Sequence, residues 1–559
     1  MRWWSAVAVL VLLLASAPVE AARKQLGAAV GPVRLVPRGD DTISIRGLHS
    51  YYGSLEVGAA GDGLVVSNRL PLERYLLGLA EVPLNWPGEA LKAQAVAART
   101  YALYTLAEPP GGSAATYGFD ICASVQCQVF SGADVVAPLI GARWRAAVAQ
   151  TKGEAVIFQG QPILARYHST SGGETLDNPQ AFPTEPAYPY LRSVPSVTEE
   201  GSPLYRWSVE FSLRRMQRVL SAGGMWDEAY GKLLDVSSVA SSGGFHYPDL
   251  VFTGRSGRTR VTAEEFRSMA RDVAPRLFPN DYPSAGATAS GRLPETLPSN
   301  RIEVTTRERV VRIVGRGWGH GVGMSQWGAH GLAGRGATYP QILTHYYTGV
   351  DVAQVDDPGL IEVGLDWGRS EVIADGEFEI IDGRGRTLVG NALGTWRFRW
   401  GGSGVVSIDP PRGYGLPLQV GIVRAPKRVE VGESVFLTVA LSRPARVRTV
   451  TKAATAYEDP GVRIAAAGRR RIVWPAPLEE GLFKVRVEAR AGPTRRRTSP
   501  VEIEVFSKPP LDDPEVEAPE ATRDDGSGGV PFLPAAAAVV ALAALGLLVS
   551  VRARRRMGG

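Results

Sequence analysis

Two stretches of the chain gather side chains capable of chemistry. In "YHSTSGG", His168, Ser169 and Ser171 precede Gly172-Gly173. An imidazole beside hydroxyls suggests a nucleophile pair, but the G-x-S-x-G elbow that exposes a nucleophilic serine is missing. The alternative is a hydrogen-bonded turn. In "GRGWGHGVGMSQWGA", glycine occupies every second position from Gly315 to Gly323. Ordered glycine costs backbone entropy, so five in alternation need a reason. An extended segment sends alternate side chains to opposite faces. One face would be bare backbone, open to close approach by another chain or a flat ligand. The other would carry Arg316, Trp318, His320, Val322 and Met324. The alternative is a glycine-rich loop without chemistry. No register fits G-x-G-x-x-G, and no lysine completes a phosphate loop.

The chain has two cysteines, Cys122 and Cys127, in "DICASVQCQVF". Outside the cell a disulfide-closed loop is favoured. Zinc would need two more ligands close by, and the loop contains no histidine. Neither a metal nor a cofactor is expected.

Local patterns supply the elements that position these groups. "PLERYLLGLAEVP" places Leu72, Tyr75, Leu76 and Leu79 at helical spacing, with Pro71 suited to the first position and Pro83 as a stop. "PGEALKAQAVAARTYALYTL" predicts a second helix from Pro87. Its alanines form helix readily and let it sit close to its neighbours at the centre of a domain. The preceding "DTISIRGLHSYYGSLEVGAAGDGLVVSNRL" alternates as two or three strands. "FSLRRMQRVL", "AEEFRSMARDVAPRLF" and "GATYPQILTHYYTGV" read as helices, and "RIEVTTRERVVRIVGRG" as two strands. From Ile361 to Val505 the pattern is short alternating strands between Gly and Pro turns, part of it immunoglobulin-like.

A length of 559 residues suggests about three domains. Apolar and charged fractions of 44% and 21% are those of a globular protein. The net charge of +6 comes largely from local arginine clusters. No basic stripe interleaves with aromatics, so nucleic acid is not an expected partner. Residues 1–22 read as a signal peptide. Residues 532–551 are long and apolar enough to cross a bilayer, and the basic tail 552–559 orients them with the body outside the cell. Residues 507–531 are rich in Pro, Glu and Asp and read as a disordered linker. The expectation is a single-pass membrane protein whose main domains face the cell wall.

Four motifs then define a resemblance: "LERYLLGLAEVPLNWPGEALKAQAVAARTYAL", "DICASVQCQVF", "ARYHSTSGGET" and "GRGWGHGVGMSQWGAHGLAGRGATYPQILTHYY". Together, over roughly residues 58–349, they resemble the stage II sporulation protein D (SpoIID/LytB) family. That family includes lytic transglycosylases of peptidoglycan and proteins described as amidase enhancers. The resemblance implies an α+β fold. A SpoIID-like mixed domain (23–350) precedes a small β region (351–417), an immunoglobulin-like sandwich (418–506) and the C-terminal transmembrane helix. It also implies peptidoglycan glycan strands as substrate, with a cell-wall amidase or division or sporulation proteins as further partners.

By the same resemblance Glu81 is the catalytic residue. Hydrolytic glycosidases use two carboxylates. A lytic transglycosylase uses the sugar's own 6-hydroxyl as nucleophile, so one carboxyl serves as acid and then base. Glu81 is expected at the C-terminal end of the first helix, among apolar neighbours. The helix dipole and desolvation would both raise its pKa. Glu89, in the first turn of the second helix, is expected to stay ionised. Lys92 and Arg99 share a helix face and could anchor substrate carboxylates or position Glu81, or they are solvated cations. His168, Ser169, Ser171, Trp318, His320 and Gln326 are expected to bind sugars, with the glycine-alternating strand lining the groove. The remaining histidines read as structural. The second reading is a non-catalytic glycan-binding enhancer of an amidase.

Overall fold

The computed structural model describes residues 28–39, 41–136, 141–242, 246–282, 296–452 and 463–507. The expected signal peptide, transmembrane segment, basic tail and all but Ser507 of the linker lie outside these residues. Among the described residues no helix is long and apolar enough to cross a membrane. The fold is mixed α and β, with a β-rich region toward the C-terminus.

The chain divides into two compact units. One comprises Asn68–Leu365 with Gly47–Tyr51. Its first helix, α1, runs Leu72–Leu77 and is shorter than its hydrophobic spacing predicts. A side chain at Gly78 would collide with the Phe130 ring. Glycine instead lets the chain turn there and pair with the segment that follows the cysteine loop. Ala80 N donates to Val129 O (2.9 Å) and Ser131 N to Gly78 O (2.8 Å).

Helix α2, Gly88–Ala107, is buried on nearly every side. Its small residues admit Ala142–Gln150, the strand Glu154–Phe158 and Tyr339–Tyr346 as direct neighbours. An antiparallel sheet joins Arg206–Ser212, Ile302–Arg307 and Val310–Arg316. Two short strands, β1 (Tyr167–His168) and, after the strand β2 (Val310–Arg316), β3 (Met324–Ser325), pair in parallel. Helix α3, Gln326–Gly334, follows at once, with the Ser325 hydroxyl accepting from Gly328 N.

The second unit is almost entirely β. Among the described residues it contains those up to Arg46, Tyr52–Ser67 and those from Asp366 to Ser507. Residues up to Arg46 and Tyr52–Ser67 thus group with the C-terminal strands rather than with Asn68–Leu365. Val33–Pro37 pairs with Glu371–Asp382, and Ala28–Val30 with Val405–Asp409. Non-local strand pairing leaves no local signature, so these strands read as neighbours of the helices that follow them. Inside, Val33, Leu35, Phe378, Ile380, Trp396 and Phe398 are fully buried.

The last part of this unit is a two-sheet sandwich. One sheet joins β4 (Val420–Arg424), β5 (Ser434–Leu441) and β6 (Gly468–Pro475). The other centres on Gly481–Ala491, paired with Ala445–Lys452 and Val501–Phe506. Leu437, Val439 and Trp474 from the first sheet meet Val447, Val485, Val487 and Ile503 from the second in one apolar core.

Candidate functional site

The glycine-alternating stretch is not an extended strand. Strand β2 ends at Arg316, and Gly317, Gly319, Gly321 and Gly323 have φ of +77°, +102°, +79° and +72°. Only glycine adopts such angles without strain. The bare backbone is covered by the protein itself. A Cβ at Gly317 would stand 2.6 Å from Thr170 O, and one at Gly319 2.9 Å from the His168 Cβ. One at Gly323 would collide with Arg166 O. Close approach lets Trp318 N donate to Thr170 O (2.8 Å) and Met324 N to Arg166 O (3.0 Å). The glycines thus fix the position of residues 166–171.

That segment presents Tyr167 to Glu81. The Glu81 Oε1 accepts from Tyr167 Oη (3.0 Å) and from Val129 N (2.7 Å). Gln128 Nε2 donates to Tyr167 Oη (2.9 Å) and to Ala98 O (3.2 Å), and Gln128 Oε1 accepts from Tyr75 Oη (2.9 Å). Gln128 is buried, so its amide relays orientation from α1 and α2 to the Tyr167 hydroxyl. Burial pushes the Glu81 carboxyl up to about 7, against the opposing pull of its hydrogen bonds to Val129 and Tyr167. The residue nevertheless keeps part of its surface in solvent. A carboxyl crowded by protein yet reachable suits proton transfer. The expected contribution of a helix C-terminus is replaced by burial, because α1 ends four residues earlier. Both donors meet Oε1, and among the described residues Oε2 has no hydrogen-bond partner. The proton of the neutral acid therefore belongs on Oε2.

The other expected site residues divide sharply. Arg99 is 1% exposed and gives a two-pronged ion pair to Glu73 (2.7 and 2.8 Å). It also donates to Glu154 O (3.1 Å). It braces α2 and cannot meet a substrate carboxylate. Lys92 is partly open and donates to Glu89 (2.8 Å) beside the Tyr339 ring. Burial works to raise the Glu89 pKa, but Lys92 and the Tyr339 N–H hold it below its ordinary value.

His168 and Ser171 are buried, so the expectation of direct sugar contact is corrected for both. Burial lowers the His168 imidazole to about 4, and its Nδ1 donates to Val322 O (3.1 Å). The Ser171 hydroxyl donates to Glu199 (2.5 Å). Glu199 also accepts from Ser171 N, Gly173 N and the Ser325 hydroxyl. Those donors overcome its burial and keep it ionised. Gln326 is buried and donates to Gln94 Oε1 (3.3 Å). His320 keeps some exposure, but both ring nitrogens are engaged. Its Nε2 donates to Tyr167 O (3.0 Å) and its Nδ1 accepts from Val322 N (3.1 Å). Burial holds it neutral, well below its ordinary pKa. Trp318 and Ser169 remain partly open. Cys122 and Cys127 form a disulfide directly before Gln128.

A family model described as "Stage II sporulation protein" matches residues 60–158. A stage II sporulation protein D of Bacillus amyloliquefaciens is 31% identical over 297 residues, 51% of this chain and 75% of that protein. The chain belongs to the stage II sporulation protein D family. An uncharacterised protein of Brachyspira hyodysenteriae is 28% identical over 61% of this chain and 84% of its own length. An amidase enhancer of Bacillus subtilis is 26% identical over 48% of this chain but only 38% of that protein.

Within this SpoIID chain the matched span holds Glu81, α2 and the disulfide loop. It stops before Tyr167 and the glycine stretch. Sequence reasoning missed Tyr167, Gln128 and Glu199. Two of them adjoin singled-out residues: Tyr167 precedes His168, and Gln128 follows Cys127. Glu199 stands in "VTEEG", which carries no signal.

Proposed function

We propose that this SpoIID-family chain is a cell-wall lytic transglycosylase. It cleaves peptidoglycan glycan strands between MurNAc and GlcNAc and leaves 1,6-anhydroMurNAc ends. The reading rests on the partly exposed Glu81, hydrogen-bonded through Oε1. Burial brings the pKa of its carboxyl up to about 7, so that a substantial fraction is protonated near neutrality. Glu81 Oε2 gives its proton to the glycosidic oxygen as the C1–O bond breaks. The 6-hydroxyl oxygen then bonds C1, and its proton returns to Glu81. Tyr167 and Val129 N–H stabilise the carboxylate between the two transfers. Residues 532–551 tether the chain, with its main domains facing the wall.

A second reading draws on the similarity to an amidase enhancer. Here the chain binds glycan and assists a separate amidase without cutting.

One assay separates the two readings. The protein is incubated with glycan strands, with and without stem peptides, and the ends are analysed by mass spectrometry. Anhydromuramyl ends that vanish in Glu81→Gln support the enzyme. Glycan binding without new ends supports the enhancer.

A further inference from the structure

The chain's surplus of positive charge resides in the C-terminal sandwich. Residues 418–506 hold seventeen Lys and Arg against nine Asp and Glu, whereas the whole chain holds 62 against 56. The two sheets spend this charge differently. On the sheet centred on Gly481–Ala491, about half of the basic side chains meet acids, while Arg486, Arg490 and Arg496 form no ion pair among the described residues. Arg448, Arg495 and Arg497 converge on Glu488, Arg428 pairs with Glu504, and Lys484 with Glu502. On the β4–β5–β6 sheet they do not. Arg424, Arg469 and Arg471 are exposed and form no ion pair among the described residues.

Register places these arginines on one face. Leu437, Val439, Ile472 and Trp474 point inward, so their alternates point out. Arg424, Thr438 and Arg471 form one cross-strand row, and Gly421, Ala440 and Arg469 the next. Small residues on the central strand make a shallow floor with arginines along both edges. Exposed Phe436 closes one end, with the Arg471 guanidinium 3.8 Å over its ring. Arg469 and Arg471 are two residues apart on one strand, about 7 Å, and Arg424 lies two strands away, about 10 Å.

We infer that this face is a docking surface for an extended anionic polymer of small polyols joined by phosphodiesters. Guanidinium groups bind phosphate through paired hydrogen bonds. A polymer with closely spaced single charges can meet Arg469 and Arg471 in succession while its backbone lies on the floor. A peptidoglycan strand spaces its carboxylates a full disaccharide apart and fits this short repeat less well. The inference is independent of the cleavage chemistry, so Glu81→Gln retains the binding whether or not the transglycosylase reading stands.

The test uses the full protein and a purified poly(glycerol phosphate) as probe, titrated at several salt concentrations. Arg424→Gln/Arg469→Gln/Arg471→Gln is compared with wild type and with Arg486→Gln on the opposite sheet. The substituted side chains are exposed, and an unchanged melting curve verifies the fold. The triple variant should lose at least tenfold in affinity, and its salt slope should fall by about two, at roughly 0.7 per arginine. Arg486→Gln should match wild type. Equal binding by the triple variant and wild type overturns the inference, as does absence of binding by wild type. Tighter binding to polyglutamate, to phosphatidylglycerol vesicles or to single-stranded DNA also overturns it, by assigning the face to a peptide carboxylate, a lipid surface or a nucleic acid.

Discussion

Tyr167 and Glu81, 86 residues apart, are joined by a 3.0 Å hydrogen bond from the phenol to Oε1. The tyrosine thereby decides which carboxylate oxygen keeps the proton. It also stabilises the ionised form and so opposes the effect of burial on Glu81.

Replacing the carboxyl should stop cleavage while leaving the site folded. Glu81→Gln retains an oxygen for Val129 N–H and Tyr167 but has no transferable proton. Formation of anhydromuramyl ends should fall by about 10²- to 10⁴-fold, the usual range for a general acid–base. Retention of more than a tenth of wild-type activity would move the chemistry to another residue.

Removing the phenol should shift the pH profile. In the proposed reaction Glu81 starts protonated, so kcat/KM should fall as pH rises through about 7. Tyr167→Phe deletes a bond that favours the carboxylate, so this alkaline limb should move to higher pH. Activity at neutral pH should fall about tenfold, since the carboxylate between the two steps loses a charge-assisted donor. A purely structural tyrosine would lower activity and leave the limb in place.

Stability should respond to Glu81 and His168 with opposite signs. The Glu81 pKa is about 7 in the fold and ordinarily 4.5, so the unfolded chain ionises first. Its contribution is complete below pH 4.5 and is lost as pH rises through 7. The His168 pKa is lowered from 6.5 to about 4. Its contribution is complete above pH 6.5 and is lost as pH falls through 4. Glu81→Gln should therefore exceed wild type at pH 8 by on the order of 2 kcal/mol, allowing for partial solvent contact, or a few degrees in Tm. The two melting curves should converge near pH 4.5. A gap independent of pH would contradict this linkage.

The glycine at 323 should be irreplaceable for steric reasons. Its φ is +72°, and a Cβ would strike the Arg166 carbonyl oxygen, which also accepts from Met324 N and Tyr347 Oη. Gly323→Ala should cost about 3 kcal/mol or more by chemical denaturation. Any folded fraction should show reduced cleavage, because Tyr167 follows Arg166. Gly334→Ala, where added bulk meets nothing within 4 Å, should leave both properties nearly unchanged.

Arg99 should prove a matter of stability, not substrate affinity. Arg99→Ala strands Glu73 and removes donors from Glu154 O and Val148 O. A loss of about 3 kcal/mol is expected. KM measured on the folded fraction should not change. A selective rise in KM with unchanged melting would return Arg99 to the substrate groove.

Periodicity and composition made α2 legible, as they did the helices of the middle region and the alternating strands of the sandwich. Each depends on neighbours within a turn or a strand. The motifs carried family membership and pointed to Glu81. Side-chain direction was not legible. His168 and Ser171 share a motif with Tyr167 and Ser169, yet the first two face inward. Arg99 sits one helix repeat from Lys92, but Glu73 captures it.

By itself the sequence determined which groups are available, a carboxyl, a phenol, an amide and closely spaced glycines, because residue type and local spacing are covalent facts. The tertiary structure decided what Glu81 is. Its donors come from positions 48 and 86 residues away, and its pKa follows from how closely those segments enclose it. Burial and long-range hydrogen bonds exist only once distant segments meet.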